Sequence, residues 1–130
     1  MSIVVGIGCD RGTSLSTLET VLQQALQSIN SNHNDIFCFA TIDKKSDEVG
    51  INTLVNNLGK TIIHYPASEL AQVEVPNPSD VVMKYVGTPA VSEAAAILAA
   101  KTTMQDLLVE KLKYRGEDGK NATISIVKHE

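Results

Sequence analysis

The chain has 130 residues, 43% of them hydrophobic and 20% charged, which supports one folded domain over residues 1–130 with a buried core. That balance excludes disorder, collagen and coiled coil. With 11 Lys and Arg against 15 Asp and Glu, the formal charge is −4, and the chain lacks the basic surface that tracks a nucleic-acid backbone.

The run Ile3 to Gly8 is β-branched and apolar without polar alternation, the pattern of a strand buried on both faces of a parallel sheet. After the loop Cys9-Asp10-Arg11-Gly12, the residues Leu15, Leu18, Leu22, Ala25, Leu26 and Ile29 recur at helical steps. Ser14 or Ser16 is the predicted N-cap, and Ser16 with Glu19 has the spacing of a capping box. Asn30 to Asp35 reads as a polar loop and Ile36 to Ile42 as the second strand.

The same order then repeats. Ser46 is the predicted cap of a second helix whose first turn holds Asp47 and Glu48, with the stripe Ile51, Leu54, Val55, Leu58 and a left-handed stop at Gly59. Lys60 to Tyr65 is the predicted third strand, closed by Pro66, and a short helix is expected near Ser68. Pro76-Asn77-Pro78 is a stiff connector, Ser79 to Tyr85 a further turn or two of helix, and Thr88-Pro89 a helix start. Alanine fills six of the eleven positions 90–100, which makes that helix the strongest in propensity. Leu107 to Tyr114 and Asn121 to Lys128 are two β-rich runs joined by the hairpin signal Gly116-Glu117-Asp118-Gly119. The fold class is therefore α/β: a three-layer α/β/α sandwich on a mixed sheet of about five strands, three parallel and a C-terminal antiparallel hairpin.

In such a sheet, ligands bind beyond the carboxyl ends of the parallel strands. The loop at Gly8 to Ser14 combines small residues with Arg11 ahead of a helix, a pattern that suits an anion, although a plain tight turn fits equally well. Its glycines miss the dinucleotide fingerprint by one residue, and no Walker lysine follows Gly12, so a nucleotide is not expected. Cys9, beside Arg11 and a helix start, is a candidate for a lowered thiol pKa, although a small buried residue is the commoner role; His64 would have to fold back to pair with it. Asp43, Asp47 and Glu48 flank Lys44 and Lys45, a set that supplies a general base beside a cation or, more simply, an acidic helix start. His33, His64 and His129 match no metal spacing, so no protein-held metal or cofactor is expected. Cys9 and Cys38 form neither a C-x-x-C pair nor a disulfide framework, and the apolar start is too short to span a bilayer; a cytoplasmic protein with no membrane partner is the expectation.

Four segments taken together carry a resemblance: Gly6 to Ser14, Ala40 to Glu48, Glu74 to Ser79, and Val86 to Ala95. In this order they resemble the CobE family and the C-terminal domain of CbiG, from cobalamin biosynthesis, over residues 3 to about 127. The resemblance implies a corrin-ring intermediate as ligand, with other enzymes of the pathway as partners; any cobalt belongs to the ligand. It also implies that the full CbiG protein acts as a cobalt-precorrin-5A hydrolase, which opens a ring-A δ-lactone and releases acetaldehyde. An opening Met1 favours the CobE type, an accessory or carrier domain; the alternative is the hydrolase, alone or with a separate N-terminal part.

A flat macrocycle fringed with carboxylates suits loops of this chemistry. The expected binding residues are Gly8, Cys9, Arg11, Gly12 and Thr13 from the first loop; Thr41, Lys44 and Asp47 from the second; Asn77, Gly87 and Thr88 from the third; and Lys113 from the hairpin. In the hydrolase reading, Asp43 or Glu48 activates water while Arg11 or backbone donors hold the oxyanion. Two departures make the site less cationic: Asp10 stands where relatives commonly carry a second basic residue, and Glu110 where they carry proline.

Overall fold

A computed structural model describes residues 1–76 and 91–129. The expected turns over 79–85, the Thr88-Pro89 helix start and the candidate residues Asn77, Gly87 and Thr88 lie outside the described residues.

Strand β1 (Ile3–Cys9) is followed by helix α1 (Leu15–Ser28), β2 (Ile36–Ile42), α2 (Val49–Asn57), β3 (Ile62–Tyr65) and the single turn α3 (Ala67–Leu70). Helix α4 (Val91–Ala100) then leads to the hairpin β4 (Leu107–Arg115) and β5 (Asn121–Lys128). The sheet order is β3-β2-β1-β5-β4, with β1, β2 and β3 parallel and β5 antiparallel to both β1 and β4. The mixed five-strand sheet of the sequence reading is therefore present, and the last strand, not the fourth, lies beside the first.

Strand alternation sorts the core into two layers. Ile3, Val5 and Ile7 of β1, with Ile124 and Ile126 of β5, pack under Leu18, Val21, Leu22 and Leu26 of α1 and Ile51, Leu54 and Val55 of α2. On the other face, Val4, Cys38, Ala40, Ile42 and Val127 meet Leu70 of α3 and the alanines of α4. Those small side chains let α4 approach closely: a Cβ on Gly6 would run into the backbone carbonyl of Ser92. Three layers, α/β/α, follow from two apolar faces on one sheet.

Several local expectations are corrected. Ser14, not Ser16, caps α1, accepting from the Thr17 amide, and Ser16 lies within the helix, so Ser16 and Glu19 form no capping box. Ser46 does not start α2: it closes a separate turn of 3-10 helix, Asp43–Lys45, while α2 begins only at Val49, and Asp47 and Glu48 precede the helix instead of lying in its first turn. The third strand begins at Ile62, the residue paired with Phe39, whose amide donates to the Thr61 carbonyl as the first bond of the β2–β3 ladder. Gly59 does adopt φ +66° after α2, as a left-handed stop requires. A reciprocal capping box occurs at Asn32 and Asp35 inside the expected polar loop.

A charged cleft where β1 and β2 end

At its carboxyl end β1 turns into the loop Asp10–Ser14, and β2 turns into the segment Asp43–Glu48. The two are clasped by one side chain. Arg11 donates from Nη1 to Asp47 Oδ1 at 2.7 Å and from Nη2 to the Lys44 carbonyl at 2.9 Å. Its Nη1 also stands 3.2 Å from Glu48 Oε1, an ion-pair contact without hydrogen-bond alignment. The other Glu48 oxygen, Oε2, accepts from the Gly12 amide at 3.0 Å, and Gly12 takes φ +81° to present it. Burial distinguishes the two acids: the Glu48 side chain is 3% exposed and Asp47 79%, with Arg11 between them at 58%. The hydrogen bond and charge of Arg11 hold the Asp47 carboxyl below its ordinary range and raise the guanidinium pKa still further.

Asp118, from the β4–β5 turn, occupies the start of α1. Its Oδ2 accepts from the Ser14 amide at 2.9 Å, and its Oδ1 accepts from Thr17 Oγ1 and from the Lys120 amide, each at 3.0 Å. These donors bring its pKa down to about 2. The Thr13 amide and hydroxyl both donate to the Asp10 carbonyl, at 3.2 and 2.6 Å. The Asp10 carboxylate in turn accepts from the backbone and side chain of Asn121. The amides of Gly12, Thr13 and Ser14, read from sequence as an open anion cradle, are thus already bound to the protein's own oxygens. A cleft of about 480 Å³ opens beside them, between the starts of α1 and α2, lined by Arg11, Ser14, Leu15, Asp47, Val49 and Thr53 among others.

The remaining candidates are dispersed. Thr41 is fully buried and donates its hydroxyl to the Ile7 carbonyl at 2.6 Å, joining β1 to β2. Asp43 and Lys44 are exposed on the turn that receives Arg11, though neither lines the cleft. Gly8 lies opposite Thr123, and Thr123 opposite Lys113, so the three share a row on the α4 face of the sheet, away from the α1–α2 cleft. Cys9 is half-buried against the core, and burial pushes its thiol pKa up, outweighing the hydrogen-bonding influence of Thr13. Burial therefore reverses the candidate lowering, and Cys9 takes its commoner role as a small, partly buried residue. His64 sits on β3, two strands from β1 and so about 10 Å across the sheet, beyond reach of Cys9. Among the described residues no group of three or more His, Cys, Asp or Glu forms a metal site. No helix among them is long and apolar enough to cross a membrane. Sequence reading missed Asp118, whose only local signal is its place in a hairpin turn.

These features define a three-layer α/β domain with a charged cleft at the carboxyl ends of its parallel strands. Its residues 3–127 match the family described as cobalamin synthesis G C-terminus, and the chain belongs to that family. It is 32% identical over 124 residues to a cobalt-precorrin-5A hydrolase of Priestia megaterium, covering 95% of this chain and 31% of that protein. It is 27% identical over 100 residues to Protein CobE of a Sinorhizobium species, covering 75% of this chain and 65% of that one. A crystal structure of CobE, from the cobalamin biosynthetic pathway, superposes with a TM-score of 0.75 at 26% identity, covering 98% of this chain and 91% of that one. The chain therefore spans about a third of the hydrolase's length.

Proposed function

We propose that this protein of cobalamin biosynthesis works at the cobalt-precorrin-5A hydrolase step, holding the carboxylate fringe of the macrocycle at the strand ends while water opens the lactone. The observation that carries this reading is the 32% identity to a protein of that name across 95% of this chain. Water adds to the lactone carbonyl and the ring C–O bond breaks, leaving a carboxylate and a hydroxyl; loss of the hydroxyl proton then breaks the carbon–carbon bond to the macrocycle, whose conjugated system takes the electron pair, and the two-carbon unit departs as acetaldehyde. Glu48 is held by Arg11 and the Gly12 amide, so its role in this reading is to keep the loop and guanidinium in place. The exposed Asp43, on the turn whose Lys44 carbonyl receives Arg11, takes the general-base role.

A second reading, a carrier of the CobE type, is favoured by the superposition, which covers 91% of the CobE chain. Anaerobic incubation with cobalt-precorrin-5A separates the two. Catalytic release of trapped acetaldehyde, lost in Asp43→Asn, is the result expected of the hydrolase. A visible-spectrum shift that saturates at one equivalent without acetaldehyde overturns it in favour of the carrier.

A further inference from the structure

Among the described residues, the guanidinium of Arg11 is the one cationic group that lines the α1–α2 cleft, and it is held in two unequal ways. Glu48, buried to 3% exposure, and the Lys44 carbonyl grip it from the protein side. Asp47, 79% exposed, grips it from the solvent side at 2.7 Å. The amides of the first loop offer no competing site, since those of Gly12, Thr13 and Ser14 already donate to Glu48, Asp10 and Asp118. On the guanidinium itself, the place an incoming carboxylate exchanges into is the position of the Asp47 carboxylate on Nη1.

We propose that Asp47 is an internal stand-in for a ligand carboxylate, so that the cleft is a carboxylate subsite on Arg11 kept closed by Asp47 and opened by exchange. This rests on the corrinoid reading above and adds to it the residue that sets affinity. The exchange suits the physics of the pair: an ion pair between exposed groups is weak and screened, so a ligand carboxylate replaces it at little cost. Glu48 and the Lys44 carbonyl stay in place and keep the guanidinium aimed. The subsite discriminates by charge, because a neutral ester cannot take the place of a carboxylate on the guanidinium.

The test uses two probes: cobyrinic acid, a corrin with seven free carboxyl groups, and its neutral heptamethyl ester, each titrated against the full chain by visible absorption. Asp47→Asn removes the competitor and keeps the side-chain shape, so it should bind the acid about three- to fivefold tighter than the parent, an increment of the size an exposed ion pair supplies. The ester should gain nothing, and Arg11→Gln should abolish the gain in the double variant. Thermal melting of Asp47→Asn within a few degrees of the parent excludes a folding effect. Binding of the acid by parent and variant with equal affinity, or an equal gain with the ester, overturns the stand-in role and leaves the corrinoid reading standing. Failure of every form to bind the acid removes the corrinoid reading itself, and the stand-in with it.

Discussion

Asp118 shows how one side chain joins distant parts of the chain. Its carboxylate closes the start of α1 from a turn 104 residues further along, doing through space what an N-cap does locally. Because its folded pKa of about 2 lies below the ordinary 3.8, its charge stabilises the fold fully above the higher value. That contribution disappears as pH falls from 3.8 through 2. Asp118→Asn should therefore melt about 3–6 °C below the parent near neutral pH, the range expected for loss of one helix cap. The gap should narrow as both proteins are melted at lower pH toward about pH 3. A gap that stays constant with pH would assign the role to shape and not charge. The sequence made Arg11 legible as a cation at a strand end. Its partners were legible only as a separate acidic group, since nothing local says that residues 36 apart will meet. Cys9 follows the commoner of its two readings, a small residue packed under the turn, because burial raises its thiol pKa.

At the level of elements, periodicity carried the reading well where burial is regular. The apolar run of β1 and the 3.6-residue stripe of α1 each correspond to an observed element with its buried face where the pattern puts it. The start of α2 was misplaced because Ser46-Asp47-Glu48 looks like a cap and acidic first turn, yet tertiary contacts draw both acids onto the β1–α1 loop. The place of β5 between β1 and β4 left no local mark, since long-range pairing decides strand order. Close packing of α4 gives this level its own prediction. Ala at position 6 would drive a Cβ into the Ser92 carbonyl and against Ala96, so α4 must shift off the sheet. Gly6→Ala should cost about 2–3 kcal/mol, as overpacking does, seen as a lower denaturant midpoint at unchanged slope. Gly8→Ala, with no described atom within 4 Å of its added Cβ, should stay within about 0.5 kcal/mol of the parent. Equal losses at the two positions would show that strand propensity, not α4 packing, sets the cost.

For the molecule as a whole, the end of the sheet presents cationic points on opposite faces, Arg11 on one and Lys113 on the other. Arg11 opens into the α1–α2 cleft, whereas Lys113 lies on the α4 face, in the row that runs from Gly8 through Thr123. Lys113 on β4 lies two inter-strand spacings from β1, with β5 between them, about 10 Å, a distance a corrin ring and its side arms can bridge. A macrocycle laid across the strand ends would place carboxylates on both faces at once, and a ligand confined to the α1–α2 cleft would touch only Arg11. The first arrangement makes a quantitative demand. Arg11→Glu and Lys113→Glu should each weaken cobyrinic acid binding by roughly three- to tenfold at low salt, and the double variant by the product, since well-separated charges act independently. Raising the salt concentration should shrink both losses together, because both groups are exposed. If Lys113→Glu binds like the parent while Arg11→Glu does not, the ligand sits on one face only, and the row from Gly8 to Lys113 is surface.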